Sequence, residues 1–266
     1  MDLTKSLAAA SRLVVLETSQ STNSELITAV GADPQSWPHL SVLVTDNQTA
    51  GRGRLGRSWS APAGTSLAVS VLLRDPRSAG TTIPERWAWL PMLAGLAMVR
   101  AVDAVGPAAP ASLKWPNDVL IAGGKVCGIL AEVVPGTAMV VVGAGINLTM
   151  QRDELPVPTA TSLSLVGTEV PAAELADAVL SVYLRELGTL VRRLYEEGDA
   201  AAAGLLGEVA ARCETLGRRV RVEFPDGSVR FGIARALAPD GRLVLIDEQD
   251  QEPLAVAAGD VTHLRY

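Results

Sequence analysis

The stretch Gln48-Thr49-Ala50-Gly51-Arg52-Gly53-Arg54-Leu55-Gly56-Arg57 interleaves three glycines with three arginines. Glycine lets a backbone approach a ligand closely, and arginine presents planar donors that match phosphate or carboxylate oxygens. The stretch lacks the Gly-Lys-Ser/Thr ending of a Walker loop. It predicts a loop that binds an anion. A basic surface loop or an RNA-binding arm is the plain alternative, because affinity for phosphate is not selective by itself.

Outward from this loop, the hydrophobic pattern predicts a domain of mixed α and β structure. Ser21 and its two neighbours supply N-cap residues for a helix that continues to about residue 30. Pro91 is expected to kink the helix predicted at 84–105 if that helix continues through it. The predicted strands are residues 13–17, 40–46, 66–74, 112–115, 119–121, 125–134 and 138–146, and the further helices are 84–105, 171–196 and 199–213.

The character of the chain changes after Gly217. Two Pro-Asp-Gly turns, at residues 225–227 and 239–241, separate short alternating strands at 219–224, 229–236 and 243–246. Such turns between short strands favour a small β-barrel of roughly 50 residues. We therefore expect two domains, 1–216 and 217–266.

Three more segments place polar or small residues where strands begin or end. Lys114 to Asp118 crowds a lysine, an amide and a carboxylate around Pro116, although Asn117 and Asp118 are also ordinary turn formers. Lys125 opens an apolar strand after two glycines, where a solvated lysine is the plain interpretation. Two glycines in the buried run 142–147 indicate close approach of a ligand or of another backbone.

Composition excludes several classes of protein. The formal net charge of −6 and pI near 5.1 oppose a uniformly basic nucleic-acid surface. Two distant cysteines and two histidines, none in a recognisable motif, argue against a zinc site, a disulfide framework or a catalytic triad. No signal peptide and no membrane-spanning run is visible, so a soluble cytoplasmic protein is expected.

Taken together and in this order, the motifs resemble those of the biotin protein ligase family, and the resemblance covers essentially the whole chain. It implies an α+β fold with a mixed β-sheet flanked by helices, similar to class II aminoacyl-tRNA synthetase cores, followed by a small C-terminal SH3-like β-barrel. It further implies ATP-dependent formation of biotinyl-5′-AMP and transfer of biotin to one lysine of a biotin carboxyl carrier protein. Magnesium would arrive with ATP, and no protein metal cage is expected.

The resemblance also implies roles for individual residues. A first group would bind the ureido ring of biotin or line its pocket: Ser21, Thr22, Asn23 and Gln48. A second would form the loop over biotin and phosphate: Gly51, Arg52, Gly53, Arg54 and Trp59. Lys125, followed by Gly128, Ile129 and Leu130, would contact the biotin carboxylate and the reacting phosphate, and Asn147 would lie near the nucleotide. Lys114, Asn117 and Asp118 would lie near the phosphates, magnesium or the incoming lysine, so the expected catalytic groups are Lys125, Arg52, Arg54, Asp118 and Lys114.

Two departures from the family pattern matter. Ser21 lies too near the start for the N-terminal winged helix of some relatives, so a short form without DNA binding is expected. Residues 149–165 contain no aromatic side chain to stack on adenine. A monomer or weak homodimer that binds neither DNA nor membrane is expected.

Two alternatives remain open from the sequence. A lipoate or octanoate ligase or transferase of related architecture is the nearest, although its Arg-Arg-x-x-Gly-Gly-Gly run and His-Asp pair are absent. The second alternative is a nucleic-acid-binding module, and the acidic net charge of the chain opposes it.

Overall fold

A seven-stranded mixed sheet organises the N-terminal part of the chain in the computed structural model, which describes residues 1–77, 85–257 and 259–264. The first nine strands are β1 (Arg12–Val15), β2 (Ser41–Thr45), β3 (Gly51–Arg52), β4 (Ser58–Trp59), β5 (Ser66–Arg74), β6 (Ala111–Lys114), β7 (Asp118–Ile121), β8 (Gly124–Val133) and β9 (Met139–Asn147). The sheet order is β1-β2-β5-β9-β8-β7-β6, with β1 parallel to β2 and the other pairs antiparallel. β3 and β4 form a separate two-stranded hairpin.

Helices cover both faces of this sheet, in line with the flanking helices that the resemblance implies. They are α1 (Thr4–Leu7), α2 (Thr22–Ala32), α3 (Leu90–Asp103), α4 (Leu163–Val166), α5 (Ala172–Glu197) and α6 (Leu205–Arg212). The helices α3 and α5 bury their apolar sides in the main core with the inward residues of β5, β8 and β9. On the other face, α2 inserts Leu26 and Val30 into a smaller apolar cluster. The cap of α2 therefore lies over the middle of the sheet, next to the hairpin.

The C-terminal part is an antiparallel sheet of five strands. They are β10 (Arg219–Glu223), β11 (Val229–Leu237), β12 (Leu243–Asp247), β13 (Pro253–Val256) and β14 (Asp260–His263), in the order β13-β12-β11-β10-β14. The two Pro-Asp-Gly turns fall between the first three strands, as expected. Within the described residues the end strands β13 and β14 do not pair with each other, so the closed barrel that was expected is not found.

Three local predictions differ from the structure. The helix expected at 84–105 begins as a 3₁₀ turn at Glu85–Trp89 and becomes α-helical at Leu90. Pro91 lies in the first turn of α3, where no intrahelical N–H bond is lost, so it does not interrupt the helix. Pro84 lies outside the described residues. The helix expected at 199–213 is confined to α6, because Gly204 before it has a left-handed backbone.

None of the helices in the described part of the chain is long and apolar enough to cross a membrane.

Candidate functional site

A trough in the sheet forms the floor of a cavity on the face that α2 covers. Four positions on this face lie in one row across neighbouring strands: Ala68 on β5, Gly145 on β9, Gly128 on β8 and Asp118 on β7. Ser70, Gly143 and Leu130 form the adjacent row. Because the central positions carry no side chain or only a methyl group, other groups approach the backbone closely. We call Ala68, Ser70, Gly128, Leu130, Gly143 and Gly145 the floor.

Two floor glycines are required by contacts. A Cβ on Gly145 would lie 2.7 Å from the Trp59 indole, and one on Gly143 would lie 2.3 Å from Asn23 Oδ1. Real Cβ atoms do not come this close to other heavy atoms. The sequence predicts close approach of a ligand or of another backbone at these glycines, whereas the groups that approach them in the structure are the side chains of Trp59 and Asn23.

The N-terminus of α2 supplies the polar end of the cavity. Ser21 caps the helix by accepting from the Ser24 N–H at 3.4 Å. The Thr22 N–H donates to Gln48 Oε1 at 2.9 Å, which ties the helix to the start of the Gly/Arg stretch. The Thr22 hydroxyl lies 3.2 Å from the same oxygen and 2.8 Å from Ser70 Oγ. Hydroxyls and an amide thus converge on one end of the cavity.

The amide of Asn23 is engaged by the protein itself. Its Nδ2 donates to Leu130 O at 3.1 Å and to Glu132 Oε2 at 2.8 Å, and its Oδ1 accepts from Ser70 Oγ at 2.6 Å. Both amide protons are used, so Asn23 lines the cavity and fixes its wall, and it has no free donor for a ligand.

The residues from Gly51 to Trp59, which we call the Gly/Arg loop, fold over the cavity. β3 and β4 pair Gly51 with Trp59 and Arg52 with Ser58, and Leu55 at the tip has a positive φ of 55° and an exposed side chain. A Cβ on Gly51 would lie 2.3 Å from Gln48 Nε2, so the hairpin also requires this glycine.

Each arginine of the loop contacts a different element. Arg52 pairs with Glu132 on β8 at 3.0 Å, and Arg57 pairs with Asp260 on β14. Arg54 donates to Asn117 Oδ1 at 3.1 Å and to Gly259 O at 3.5 Å. The loop is therefore held both by the N-terminal sheet and by the C-terminal one.

Lys125 and Asp118 form the opposite wall. Lys125 Nζ lies 2.6 Å from Asp118 Oδ1, and its side chain is 41% exposed, so the ammonium lies at the cavity surface. The turn before Asp118 is anchored to β8, because Asn117 Nδ2 donates to Ile129 O at 2.7 Å and Asn117 O accepts from the Ile129 N–H at 2.9 Å. Ile129 contributes its backbone, since its side chain is buried in the main core.

The charges around the cavity are unequally balanced. Of the four cations that line it, Arg52, Arg57 and Lys125 each pair with a carboxylate, whereas the hydrogen-bond partners described for Arg54 are neutral. Burial lowers the pKa of the Arg54 guanidinium, while the hydrogen bond that Arg57 donates to Asp260 raises the pKa of Arg57. Asp118 and Asp260 attract Arg54 from a distance, but in the described residues neither forms an ion pair with it, so this partly buried cation favours an anionic ligand.

All but three of the residues selected from the sequence line this cavity. Gly51 supports the hairpin from behind. Lys114 lies on β6 opposite Asp118 and outside the lining, and Asn147 is buried with its amide donating to Thr161 O at 2.9 Å. Backbone bonds of Lys125 with Thr159 and Thr161 hold the same segment over the end of β9.

Comparison with known proteins shows which family this chain belongs to. The model of the "Biotin/lipoate A/B protein ligase family" matches residues 15–147, and that of the "Biotin protein ligase C terminal domain" matches residues 215–264. The chain is 40% identical to a biotin–[acetyl-CoA-carboxylase] ligase of Mycobacterium tuberculosis over 259 residues, which are 96% of this chain and 90% of the relative. The chain belongs to the biotin/lipoate A/B protein ligase family.

Other members extend the comparison. A bifunctional ligase/repressor of Escherichia coli is 30% identical over 90% of this chain and 70% of its own length. The structure of a biotin protein ligase from Aquifex aeolicus, in complex with biotin and ATP, superposes with a TM-score of 0.72. It is 26% identical and covers 96% of this chain and 100% of its own.

Beyond the residues selected from the sequence, Arg57 and Asp260 also line the cavity, and Ser70 and Glu132 contact lining residues from outside it. Arg57 belongs to the stretch that the sequence predicts to bind an anion, but it was given no role of its own. Glu132 falls within a segment that the sequence singles out, but a carboxylate in an anion site gives no signal by itself. Asp260 lies on a strand that the turn pattern does not predict.

No group of three or more His, Cys, Asp or Glu residues suited to a metal ion occurs in the described residues.

Proposed function

We propose that this chain is an ATP-dependent biotin protein ligase. It forms biotinyl-5′-AMP from biotin and ATP, and then transfers biotin to a specific lysine of the biotin carboxyl carrier protein of an acyl-CoA carboxylase. The observation that carries the proposal is one cavity with two chemically different ends. The Thr22–Gln48 end presents neutral hydrogen-bonding groups, and the other end presents Arg54 and Lys125.

Biotin has this same division. Its fused ring is neutral and carries a ureido group that both donates and accepts hydrogen bonds, and its valeryl chain ends in a carboxylate. We assign the ring to Ser21, Thr22 and Gln48, with the Trp59 indole, which lies against Gly145, beside its apolar part. Asn23 shapes this end, because its amide is already satisfied. The carboxylate then points toward Lys125 and Arg54.

Adenylation must bring two anions together. The biotin carboxylate attacks the α-phosphorus of ATP and pyrophosphate leaves, so positive charge has to offset the repulsion in both the ground and the transition state. Arg54 supplies that charge without first losing a carboxylate partner. Lys125 is held by Asp118 and can transfer its contact to phosphate oxygens, while Arg52 and Gly53 close the loop. No nucleophilic side chain is required, since the carboxylate is the nucleophile.

Transfer to the carrier requires a neutral amine. The incoming lysine attacks the carbonyl carbon of the mixed anhydride, and AMP is the leaving group. Asp118 carries a carboxylate beside this reaction centre, and once Lys125 contacts phosphate, Asp118 can accept a hydrogen bond from the entering amine and take up the proton that is released as the amide bond forms and the bond to AMP breaks. Lys114 lies outside the lining, so its contribution is a longer-range charge rather than a contact.

Magnesium fits as an ion carried by the nucleotide. Asp118 is the carboxylate on this wall, it is engaged by Lys125, and the described residues contain no cluster of acidic ligands. Phosphate oxygens would supply the remaining ligands, and the ion would offset part of the triphosphate charge. Asn147 is proposed near the nucleotide on resemblance, and one of its amide protons is donated to Thr161 O.

The remaining assignments are proposals of the same kind. We place the boundary between a catalytic unit, 1–216, and a C-terminal unit, 217–266, of SH3-like type, and we propose a cytoplasmic monomer or weak homodimer. That the chain does not bind operator DNA stays a prediction from its net charge.

Lipoate or octanoate is not favoured as the substrate. Two relatives, at 40% and 34% identity, are named biotin–[acetyl-CoA-carboxylase] ligases, and the lipoate-type motifs are absent from this chain. The deciding experiment is the intact-mass shift of a carrier domain incubated with the chain, Mg-ATP and biotin. A shift by one biotinyl group is expected. Pyrophosphate release with lipoate or octanoate but not with biotin would refute the assignment.

A further inference from the structure

Glu132 is an acidic residue beside a site that we assign to two anions. Because its charge would repel both ligands, its position there needs a physical explanation. It lies near the end of β8, on the floor side, and its side chain is 24% exposed. Its carboxylate accepts from Asn23 Nδ2 at 2.8 Å and pairs with Arg52 Nη2 at 3.0 Å. One carboxylate thus contacts both the wall of the cavity and the loop that covers it.

These two contacts have different effects. The contact with Asn23 satisfies the second amide proton, the first being donated to Leu130 O, and so fixes the orientation of the amide against Ser70 and Gly143. The contact with Arg52 holds the first strand of the Gly/Arg loop against β8 and neutralises a loop arginine. Without that neutralisation, Arg52 would repel Arg54 and Arg57 in the absence of an anion.

We propose that Glu132 is a positioning residue that couples the biotin-binding wall to closure of the Gly/Arg loop. It touches neither reacting atom. It keeps Asn23 oriented and Arg52 docked, so that the loop is already partly closed before nucleotide binds. This inference rests on the proposed function for its substrate, but the docking of Arg52 can be measured without any ligand.

Two variants separate the contacts. Glu132→Gln keeps an oxygen acceptor for Asn23 and loses the ion pair with Arg52, whereas Glu132→Ala loses both. Glu196→Gln is the matched control, because Glu196 pairs with Arg192 on the exposed surface of α5 at 3.1 Å.

The first measurement is limited trypsin cleavage after Arg52 in the ligand-free chain. An exposed ion pair contributes up to about 1 kcal/mol, so cleavage should rise about three- to fivefold in both Glu132 variants and stay unchanged in the control. Unchanged cleavage in both variants would overturn the docking of Arg52, whether or not the chain uses biotin.

The second measurement is steady-state adenylation with biotin and ATP varied separately. The KM for biotin should rise about threefold in Glu132→Gln and about tenfold or more in Glu132→Ala, where an amide proton loses its partner, while the KM for ATP and kcat change less. If both KM values and kcat are impaired to the same extent, and the melting temperature falls, the role of Glu132 is merely structural and the proposal is overturned.

A double-mutant cycle completes the test. If Arg52 acts through Glu132, Arg52→Gln combined with Glu132→Gln should raise the KM for biotin no further than the more affected single variant. Additive effects of the two substitutions would show that the two residues act independently, against the proposal. If the Glu132 variants are cleaved faster as expected but the wild-type chain does not react with biotin, the proposed function is refuted while the docking of Arg52 stands.

Discussion

The floor of the cavity is shaped by steric contacts, whereas the Gly/Arg loop above it is held by polar contacts. On the floor, Gly143 and Gly145 admit Asn23 and Trp59 at distances that no other residue type would allow. In the loop, Arg52 and Arg57 reach carboxylates on β8 and β14 through partly exposed ion pairs. The steric contacts cannot be exchanged for others, but an ion pair can be replaced by a pair with a ligand. The floor therefore fixes the position of a ligand, and the loop responds to its charge.

Lys125 connects the two regions, because it extends from a floor strand toward the charges under the loop. Lys125→Ala should reduce adenylate formation by about 2–4 kcal/mol in the transition state, roughly 30- to 1000-fold. The melting temperature should change little, since the ion pair with Asp118 is partly exposed. Pyrophosphate release and thermal unfolding measure the two quantities, with the exposed Lys5→Ala as control. Normal activity in Lys125→Ala would mean that Lys125 is only a solvated lysine.

Gly145→Ala tests whether the floor is sterically fixed. The added methyl group would displace the Trp59 indole, and overpacking of this kind costs roughly 1–3 kcal/mol, so the KM for biotin should rise about tenfold. Gly207→Ala is the control, because a Cβ there meets nothing within 4 Å. If both variants bind biotin equally well, the floor tolerates side chains and the comparison with the loop fails.

His263 tests the tie between the C-terminal sheet and the turn beside the floor. Its Nε2 lies 3.0 Å from Thr215 Oγ1, which accepts from the Trp115 N–H at 2.9 Å. Burial lowers the pKa of His263 to about 4 from 6.5. The unfolded chain therefore takes up a proton first as the pH falls below 6.5, so the folded state loses stability on acidification and regains it toward neutral pH.

Because His263 is only partly buried, we expect a loss of about 1 kcal/mol in the free energy of unfolding between pH 7.5 and pH 5. Urea unfolding at both pH values measures it. His263→Gln, which cannot titrate, should show a smaller loss. The same loss in the variant would assign the pH dependence to other groups.

The smallest effect is expected at the ion pair between Arg57 of the Gly/Arg loop and Asp260. Asp260→Asn removes the charge that pairs with Arg57 and should speed trypsin cleavage after Arg57 by about fivefold at most.

In the unsubstituted chain, cleavage in the loop should slow with biotin and slow further with biotin plus ATP, because the adenylate offers both rings and a phosphate. Equal rates in all three conditions would show that the loop does not respond to ligand.

The two regions also differed in how far the sequence predicted them. The glycines of β9 were expected to admit a ligand or another backbone, because glycine inside a buried strand often marks such a close approach. The groups that they admit are side chains. The strand and turn pattern likewise located Lys125, Asp118 and the Gly/Arg stretch. The identities of the close neighbours, Asn23 and Trp59, could not be predicted from the spacing, since they depend on how α2 and the hairpin pack across the sheet.

The contacts of the loop were largely outside the reach of sequence reasoning. Glu132 and Asp260 pair with arginines that are 80 and 203 residues away along the chain, so no local pattern signals them. β14 itself was not predicted, because its four residues are too few for a clear alternation. Asn147 was selected by resemblance, yet its amide is bound by a segment that has no pattern of its own.

The pairing of Arg57 with Asp260 has a consequence for how the molecule folds. The strands β6 to β9 are joined by short connections and can pair early, whereas this contact requires both sheets to be formed and brought together across a separation of 203 residues. Contacts of such long sequence separation are slow to form, because the entropy of closing the intervening chain opposes them. During refolding the cavity floor should therefore be complete before the loop is fastened. A reactive mixed anhydride would then be sheltered only by molecules that have finished folding, which makes premature chemistry by partly folded chains unproductive.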